Sequence, residues 1–327
     1  MPPDNELLIR AAARDGGGLG TEEAGVLFAA MLAGEVAPHE LSRILAAWRG
    51  RRASLAEVTG FVRALDAHTG RLEKPHDGPR PVLLPAYHGT LRQANLTALV
   101  ALLLKRYEIP VLVHGLGGAG AAVAGSGRGA GPDDASASLV NTADVLWELG
   151  IEPAASLADA QARLRHDGIA FVPSEVLAPG LARLCAGTPR DSLPTIAQSV
   201  AMLMDPFGGD GYRVIGTASA DDLAVIREFL LVSRTDALLF EGAEGEPFAD
   251  PRRQTPLEHV AAGSATLCAD AEAHDVNREP SLPAAPDAAS TATWIANVLA
   301  GSEPVPPPII AQLGCCLAGA RRRGAAA

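Results

Sequence analysis

Lysine is almost missing from this sequence: Lys74 and Lys105 are the only two, and arginine carries nearly all of the positive charge. Acidic side chains outnumber basic ones 38 to 27, a formal charge of −11, so the chain as a whole repels nucleic acid and anionic membranes. Aromatic residues fill only 4% of 327 positions, too few for a row of base-stacking platforms. The four cysteines (Cys185, Cys268, Cys315, Cys316) show no CxxC spacing. That argues against a disulfide framework or a zinc site and for reduced thiols in a cytoplasmic protein. The longest apolar stretch, Leu96 to Leu104, is too short to span a bilayer. The opening MPPDNELLIR carries acids where a signal peptide has a basic and then an apolar run. The expectation is a soluble cytoplasmic protein with no membrane partner.

What is present is aliphatic: 48% hydrophobic residues, mostly Ala, Leu and Val, enough for one large domain or a small one beside a large one. The first seventy residues read as short amphipathic helices. In TEEAGVLFAAMLAGE, Thr21 suits an N-cap, Leu27, Ala30 and Met31 form the buried stripe, and Gly34 ends the helix. A second helix opens at Pro38 and carries Leu41, Ile44, Leu45 and Trp48 at helical spacing. A third opens with the capping box Ser54-x-x-Glu57 and buries Val58, Phe61, Val62 and Leu65. From residue 80 the rhythm changes to short β-rich runs: Val82–Leu84, Val111–Val113, Ile169–Val172, Tyr212–Gly216 and Ala237–Phe240. Helical stretches follow most of them, and a final helix runs from about Ile309 to Arg323. This alternation predicts an α/β fold with a mostly parallel central sheet covered on both faces. Eight glycines between Gly115 and Gly131 mark a flexible insertion, in the wrong register for a dinucleotide fingerprint, and Asn277–Pro286 reads as an exposed connection.

One stretch carries chemistry. LLPAYHGTLRQANLTALVALLL (Leu83 to Leu104) runs from an apolar strand through a polar turn into an apolar helix. Helix starts leave backbone N–H groups unpaired and attract anions. Gly89 allows close approach, Thr90 can cap, and Arg92 is expected in the first helical turn. A cation there opposes the macrodipole unless an anion lies between them. The turn therefore reads as a remodelled phosphate site, with His88 and Gln93 beside it; the bland alternative is an exposed strand-to-helix corner.

The opening LGTEEAGVLFAAMLAGEVAPHELSRILAAWRGR closely resembles the N-terminal domain of anthranilate phosphoribosyltransferases and the related pyrimidine nucleoside phosphorylases. VLVHG lies where that family has its KHGN motif, and NTADVLWELGIEP looks like its GSADVLEALG helix. YRVIGTASADDLAVIREFLL and LLFEGAEGEPFADP resemble the segments around its second acidic motif. The resemblance implies a helical domain (residues 1–75, joined by helices from about 174 to 200) and an α/β glycosyltransferase-like domain (80–327). It also implies a ligand cleft between them and a homodimer formed through the helical domain.

The motifs themselves are altered. PAYHGTLRQAN replaces the glycine-rich loop that binds phosphoribosyl pyrophosphate, and only Asn95-Leu96-Thr97 survives of NIST. Val113 replaces the KHGN lysine, while His114 and Gly115 remain. Pro247-Phe248 replaces the magnesium-holding Asp-Glu pair, with Glu244, Glu246 and Asp250 nearby. The anthranilate-binding arginine has no secure counterpart; Ala182 or Arg183 falls near its place.

PAYHGTLRQANLT, EGEPFADPRR and DAASTATWIANVLAG are together similar to the YbiB-type branch of the fold. That branch implies a homodimer that binds nucleic acid without marked sequence preference and without an established transferase reaction. On this reading Asn95, Thr97, His114 and Gly115 join the phosphate or ligand site, although His114 also reads as an ordinary hydrogen-bonded histidine at a strand end. Glu244 and Glu246 are weak metal candidates, more simply a solvated acidic loop, and magnesium enters only if the protein is a transferase. Single-stranded DNA or RNA would meet Arg49, Arg51 and Arg52 after a helix, Arg252 and Arg253, or Arg321 to Arg323. The competing functions are a phosphoribosyl or glycosyl transferase with a remodelled donor site and an unknown acceptor, and a regulatory dimer with a vestigial cleft.

Overall fold

Seven strands form one sheet in the order β3-β2-β1-β4-β5-β6-β7. They are β1 (Val82–Ala86), β2 (Val111–Gly115), β3 (Ile169–Pro173), β4 (Tyr212–Thr217), β5 (Ala237–Glu241), β6 (Leu257–Ala261) and β7 (Ser264–Ala269). The structure, a computed structural model, describes residues 4–11, 18–48, 51–117, 139–186, 196–271 and 280–322. Most of the glycine-rich insertion, Arg49, Arg323 and part of the 277–286 connection lie outside the described residues.

Strands β1 to β5 pair in parallel, as the alternation predicts, each extending slightly beyond the expected run. The antiparallel β6–β7 hairpin was not expected. Its two-residue turn is Ala262-Gly263, both at positive φ (51° and 81°), the geometry of a primed hairpin turn. Ala-Gly is a weak signal for such a turn, whereas Asn-Gly or Asp-Gly would have announced it.

The helices of the first segment are α1 (Asn5–Ala11), α2 (Thr21–Ala33), α3 (Pro38–Trp48) and α4 (Leu55–Ala67). Gly34 caps α2 in the left-handed conformation (φ 78°), and Ser54 and Glu57 form the expected capping box of α4. Thr21 is not the cap of α2: Gly20 is, and its N–H is satisfied by the Glu23 carboxylate at 3.0 Å. The acid at the third helical position closes back on the cap residue's own N–H, and no side chain of the cap residue bonds the first-turn amides.

Helices α2 and α4 cross closely because Gly25 and Gly60 face each other. A side chain at Gly60 would drive into the Thr21 carbonyl and come within 2.7 Å of Gly25 N. Phe28, Phe61 and Trp48 fill the space beside this crossing, with ring centroids 4.9 and 5.1 Å apart.

The chain continues through α5 (Thr97–Arg106), α6 (Thr142–Glu148) and α7 (Leu157–His166), then α8 (Ser174–Leu177), α9 (Pro179–Ala186), α10 (Ile196–Ala201) and α11 (Ala220–Ser233). It closes with α12 (Ala288–Ala300) and α13 (Pro307–Arg321). Helices α9 and α10 pack on α2 and α4, and Arg183 of α9 donates to the Leu32 carbonyl at 2.7 Å. The parallel strands β1 to β5 are buried on both faces, whereas β7 is largely exposed, and the side chains of the parallel strands divide by the period of two. Leu83, Leu112, Ile215 and Leu239 join the core shared with the N-terminal helices. Val82, Leu84, Val113 and Phe240 join the core under α5, α12 and α13.

Gly60→Ala is expected to destabilise the fold by about 1–3 kcal/mol through overpacking at the helix crossing. Alanine would otherwise favour the helix by about 1 kcal/mol. A urea midpoint that rises instead of falling would show that the two backbones can separate freely.

A carboxylate-filled cradle at the candidate functional site

In an open α/β sheet a crevice forms outside the carboxyl ends of the strands where the chain reverses its direction of travel. Here β1 sits between β2 and β4, so the crevice lies at Ala86 and Thr217. Three segments meet there: residues 87–96 after β1, residues 139–142 before α6, and residues 242–250 after β5.

The segment after β1 does not enter a helix at once. Helix α5 starts at Thr97, with Leu96 at the cap position, so Thr90 is no helix cap and Arg92 lies ahead of the helix. Instead Thr90 makes a two-way backbone bridge with Val140 (N–H to O 3.0 Å, and 2.8 Å in return). The expected reason for an anion, a cation opposing the helix dipole, therefore does not hold. A different reason replaces it.

Residues 88, 89 and 91 to 93 direct their backbone N–H groups at two carboxylates of the protein itself. Glu246 Oε1 accepts from His88 N (2.9 Å) and Gly89 N (2.7 Å). Its Oε2 accepts from Thr142 Oγ1 (3.0 Å), Thr97 Oγ1 (3.3 Å) and Asn95 Nδ2 (3.5 Å). Glu246 is fully buried. Glu244 accepts from three successive amides, Leu91 N (3.0 Å), Arg92 N (3.0 Å) and Gln93 N (3.2 Å), the arrangement of an anion-binding nest. Glu246 is thus removed from solvent and Glu244, though partly exposed, is engaged by backbone amides, which differs from the solvated acidic loop expected from charge alone.

Glycine makes this possible. Side chains at Gly216 or Gly242 would collide with the Glu246 carbonyl, so the loop can fold back over β4 and β5 only with hydrogens there. Glu244 itself sits at φ 53°, a left-handed conformation that costs a non-glycine residue on the order of 1 kcal/mol or more. Its three amide bonds offset that cost.

His88 Nδ1 lies 2.9 Å from the Gly245 carbonyl, which makes Nδ1 the protonated nitrogen. His88 Nε2 has no hydrogen-bond partner. His114 was expected to face the cleft but is fully buried, with Nδ1 3.1 Å from the Tyr87 hydroxyl and the two rings edge to face. Burial pushes its pKa down to about 3, so it is neutral at physiological pH and has no free path to a ligand. Gly115 lies within β2 against the Ala86 carbonyl, where a side chain cannot fit. Of the expected ligand residues, the crevice brings together His88, Gly89, Asn95, Thr97 and, through their amides, Arg92 and Gln93. Thr142 belongs to the same network and was missed, because nothing in NTADVLWELG marks it apart from its neighbours; Tyr87, also missed, pairs with His114 instead.

Glu244 and Glu246 do not suit magnesium, since their oxygens are spent on N–H and O–H donors. Asp250 is likewise occupied, accepting from Arg252 N at 2.9 Å. Among the described residues no group of three or more His, Cys, Asp or Glu side chains is placed to hold a metal.

The basic candidates scatter. Arg51 is bidentate to buried Glu57 (2.7 and 2.9 Å) and lies over the Trp48 ring, a packing role. Arg52 pairs with Asp221 of α11, and Arg253 with Glu241 at 3.7 Å. Arg321 and Arg322 are exposed at the end of α13. The exposed Arg92, with Gln93, Leu96, Arg252, Leu282 and Pro286, lines a pocket of about 160 Å³ beside the cradle.

Residues 9–69 match the helical bundle domain of the glycosyl transferase family. The chain is 34% identical to YbiB of Escherichia coli (strain K12) over 294 residues, covering 89% of this chain and 85% of that protein. It is 25% identical to the anthranilate phosphoribosyltransferase of Rhodopirellula baltica over 77% of this chain and 68% of the enzyme. Among solved structures, the anthranilate phosphoribosyltransferase of Thermus thermophilus superposes with a TM-score of 0.69 at 20% identity, covering 96% and 89% of the two chains. The Saccharomyces cerevisiae enzyme in complex with PRPP and Mg gives 0.64 at 13% identity over 94% and 84%.

Glu246→Ala is expected to cost about 3 kcal/mol or more, because it strands several buried donors at once. A thermal unfolding shift near zero would mean that the cradle is not what holds the loops. A second expectation concerns His114. Its folded pKa is depressed below the unfolded value, so it contributes stability that is present above about pH 6.5 and lost toward pH 3. The stability gap between wild type and His114→Gln should therefore narrow by up to about 1.4 kcal/mol per pH unit below about 6.5. A gap independent of pH in urea titrations would show that His114 protonates in the folded state.

Proposed function

This chain belongs to the YbiB family, a branch of the anthranilate phosphoribosyltransferase-like fold, and from that membership we propose that it binds phosphate-bearing ligands as a homodimer without transferring phosphoribosyl groups. The ligand we favour is the backbone of single-stranded nucleic acid. The observation that carries the reading is the filled cradle. The donors that would receive a diphosphate are held by Glu244 and Glu246, and the same two acids are unavailable to magnesium.

What remains for a phosphate lies outside the cradle, at the pocket mouth where Arg92 and Arg252 come together. Arginine suits phosphate because its planar fork donates two parallel hydrogen bonds. The overall charge of −11 opposes nucleic acid at long range, but screening limits that repulsion to about 8 Å at physiological salt. A local arginine pair can then prevail at contact. Self-association through the N-terminal helices is supported by Ile9 and Val26, large apolar side chains 63% and 54% exposed on α1 and α2.

The strained backbone of Glu244 favours a second reading, a transferase with a remodelled donor site, since a partly exposed carboxylate held against φ strain can leave its three amides to a phosphate.

One experiment separates the two readings. Fluorescence anisotropy with a short mixed-sequence single-stranded DNA is recorded at low and physiological salt, with phosphoribosyl pyrophosphate and magnesium as competitor. Binding that weakens steeply with salt, resists the competitor and loses slope in Arg92→Ala/Arg252→Ala supports the proposal. Replacing Arg51 and Arg52 should leave the slope unchanged, because neither lines the pocket. Absence of DNA binding, with the competitor raising the melting temperature, returns the protein to the transferases. Glu244→Ala sharpens the comparison: pyrophosphate should stabilise this variant more than wild type. Equal stabilisation of both would show that the emptied nest accepts no phosphate.

A further inference from the structure

Three of the four cysteines lie outside the cradle, where α13 packs across the hairpin edge of the sheet. Cys268 lies on β7 at a break in register: Leu257 pairs with Ala269 and Glu258 with Leu267, which leaves Cys268 as the extra residue of a β-bulge. Bulges re-aim a side chain out of the regular alternation. This one leaves the Cys268 thiol exposed, while Cys315 and Cys316 on α13 are buried. The Cys268 thiol nevertheless reaches the Cys315 thiol and interacts with it directly. An exposed thiol in contact with a sheltered one is the arrangement of an attacking and a resolving cysteine.

The surroundings sort the three thiols by reactivity. A hydrogen bond from Cys315, a backbone N–H from His259 and the nearby Arg322 guanidinium bring Cys268 down to about 7 despite partial burial. Cys315 is pushed up by its bond to Cys268 and by burial, and Cys316 by burial first and then by the Cys268 charge. Cys268 therefore holds a large thiolate fraction at neutral pH, and thiolates are the nucleophiles. Its two neighbours stay protonated.

We propose that Cys268 and Cys315 form a hydroperoxide-responsive dithiol site that closes reversibly into a disulfide joining β7 to α13. The Cys268 thiolate attacks one peroxide oxygen; an S–O bond forms, the O–O bond breaks, and the other oxygen leaves as water or an alcohol after taking up a proton. Cys268 is then a sulfenic acid. The Cys315 sulfur attacks the Cys268 sulfur, forming the S–S bond as the S–O bond breaks, and the hydroxide leaves as water with the Cys315 proton. The peroxide takes up two electrons, one from each sulfur. A dithiol reductant reverses the step.

The test uses the full chain, treated with hydrogen peroxide at neutral pH and digested without reduction for peptide mass spectrometry. The expected product is one internal Cys268–Cys315 disulfide, absent after dithiothreitol. In Cys315→Ser, oxidation should stop at a Cys268 sulfenic acid that dimedone labels, and near-ultraviolet circular dichroism checks that this buried change leaves the fold intact. Cys268→Ser alters only an exposed group and should abolish the disulfide while Cys315 stays reduced. Recovery of both thiols unoxidised from wild type overturns the proposal. So does Cys268 found only in intermolecular disulfides or as a sulfinic acid.

Discussion

A single buried carboxylate organises the crevice at the carboxyl end of the sheet. Glu246 receives hydrogen bonds from the segment after β1, from the start of α5 and from the start of α6, pieces of chain that, among the described residues, the backbone joins only at the Thr90–Val140 bridge. An ionised group without a cation is costly to bury unless its lone pairs are filled. Five donors fill them here, so the same bonds that make the burial tolerable also fix the loops in place. The loop that carries Glu246 can reach them only because Gly216 and Gly242 leave room for its backbone.

The consequence for function is a change in what the crevice offers. A phosphate-binding loop works by presenting unpaired N–H groups to an arriving anion. In this chain the amides of residues 88, 89 and 91 to 93 meet anions that never dissociate from the molecule. The two acids differ in how firmly they are held. Glu246 is enclosed and multiply bonded, whereas Glu244 is partly exposed and sits in a strained conformation. Any ligand-dependent rearrangement of the crevice would begin at Glu244.

The arginines show the same economy of partners. In sequence, Arg51 and Arg52 look like a basic patch; in space, one braces Glu57 against the start of α4 and the other ties that helix to α11. Arg183 closes the end of α2 through the Leu32 carbonyl, so Arg51 and Arg183 fasten the helical bundle while Arg52 makes an exposed link to α11. Arg92, whose side chain makes no such bond, borders the pocket instead.

The order of helices and strands was legible from the sequence because each depends on near neighbours: Gly34 and the Ser54–Glu57 box end and start helices through contacts within one turn, and the five parallel strands are short apolar runs between helical stretches. The β6–β7 hairpin escaped because its turn relies on Ala262 adopting positive φ, which the packing imposes and the residue does not announce. The remodelled turn after β1 was visible as a polar interruption, but its occupant was not. Glu244 and His88 lie more than 150 positions apart in the chain from the amides and carbonyls they serve, and local pattern assigns a charged, glycine-flanked acid to solvent. Burial of His114 followed from the sheet placing Tyr87 beside it. Sequence alone determined the helices of the first segment, the five parallel strands and their order; only the tertiary structure decided the hairpin and which polar groups meet, because a hydrogen bond is specified by position in space and carries no periodic trace along the chain.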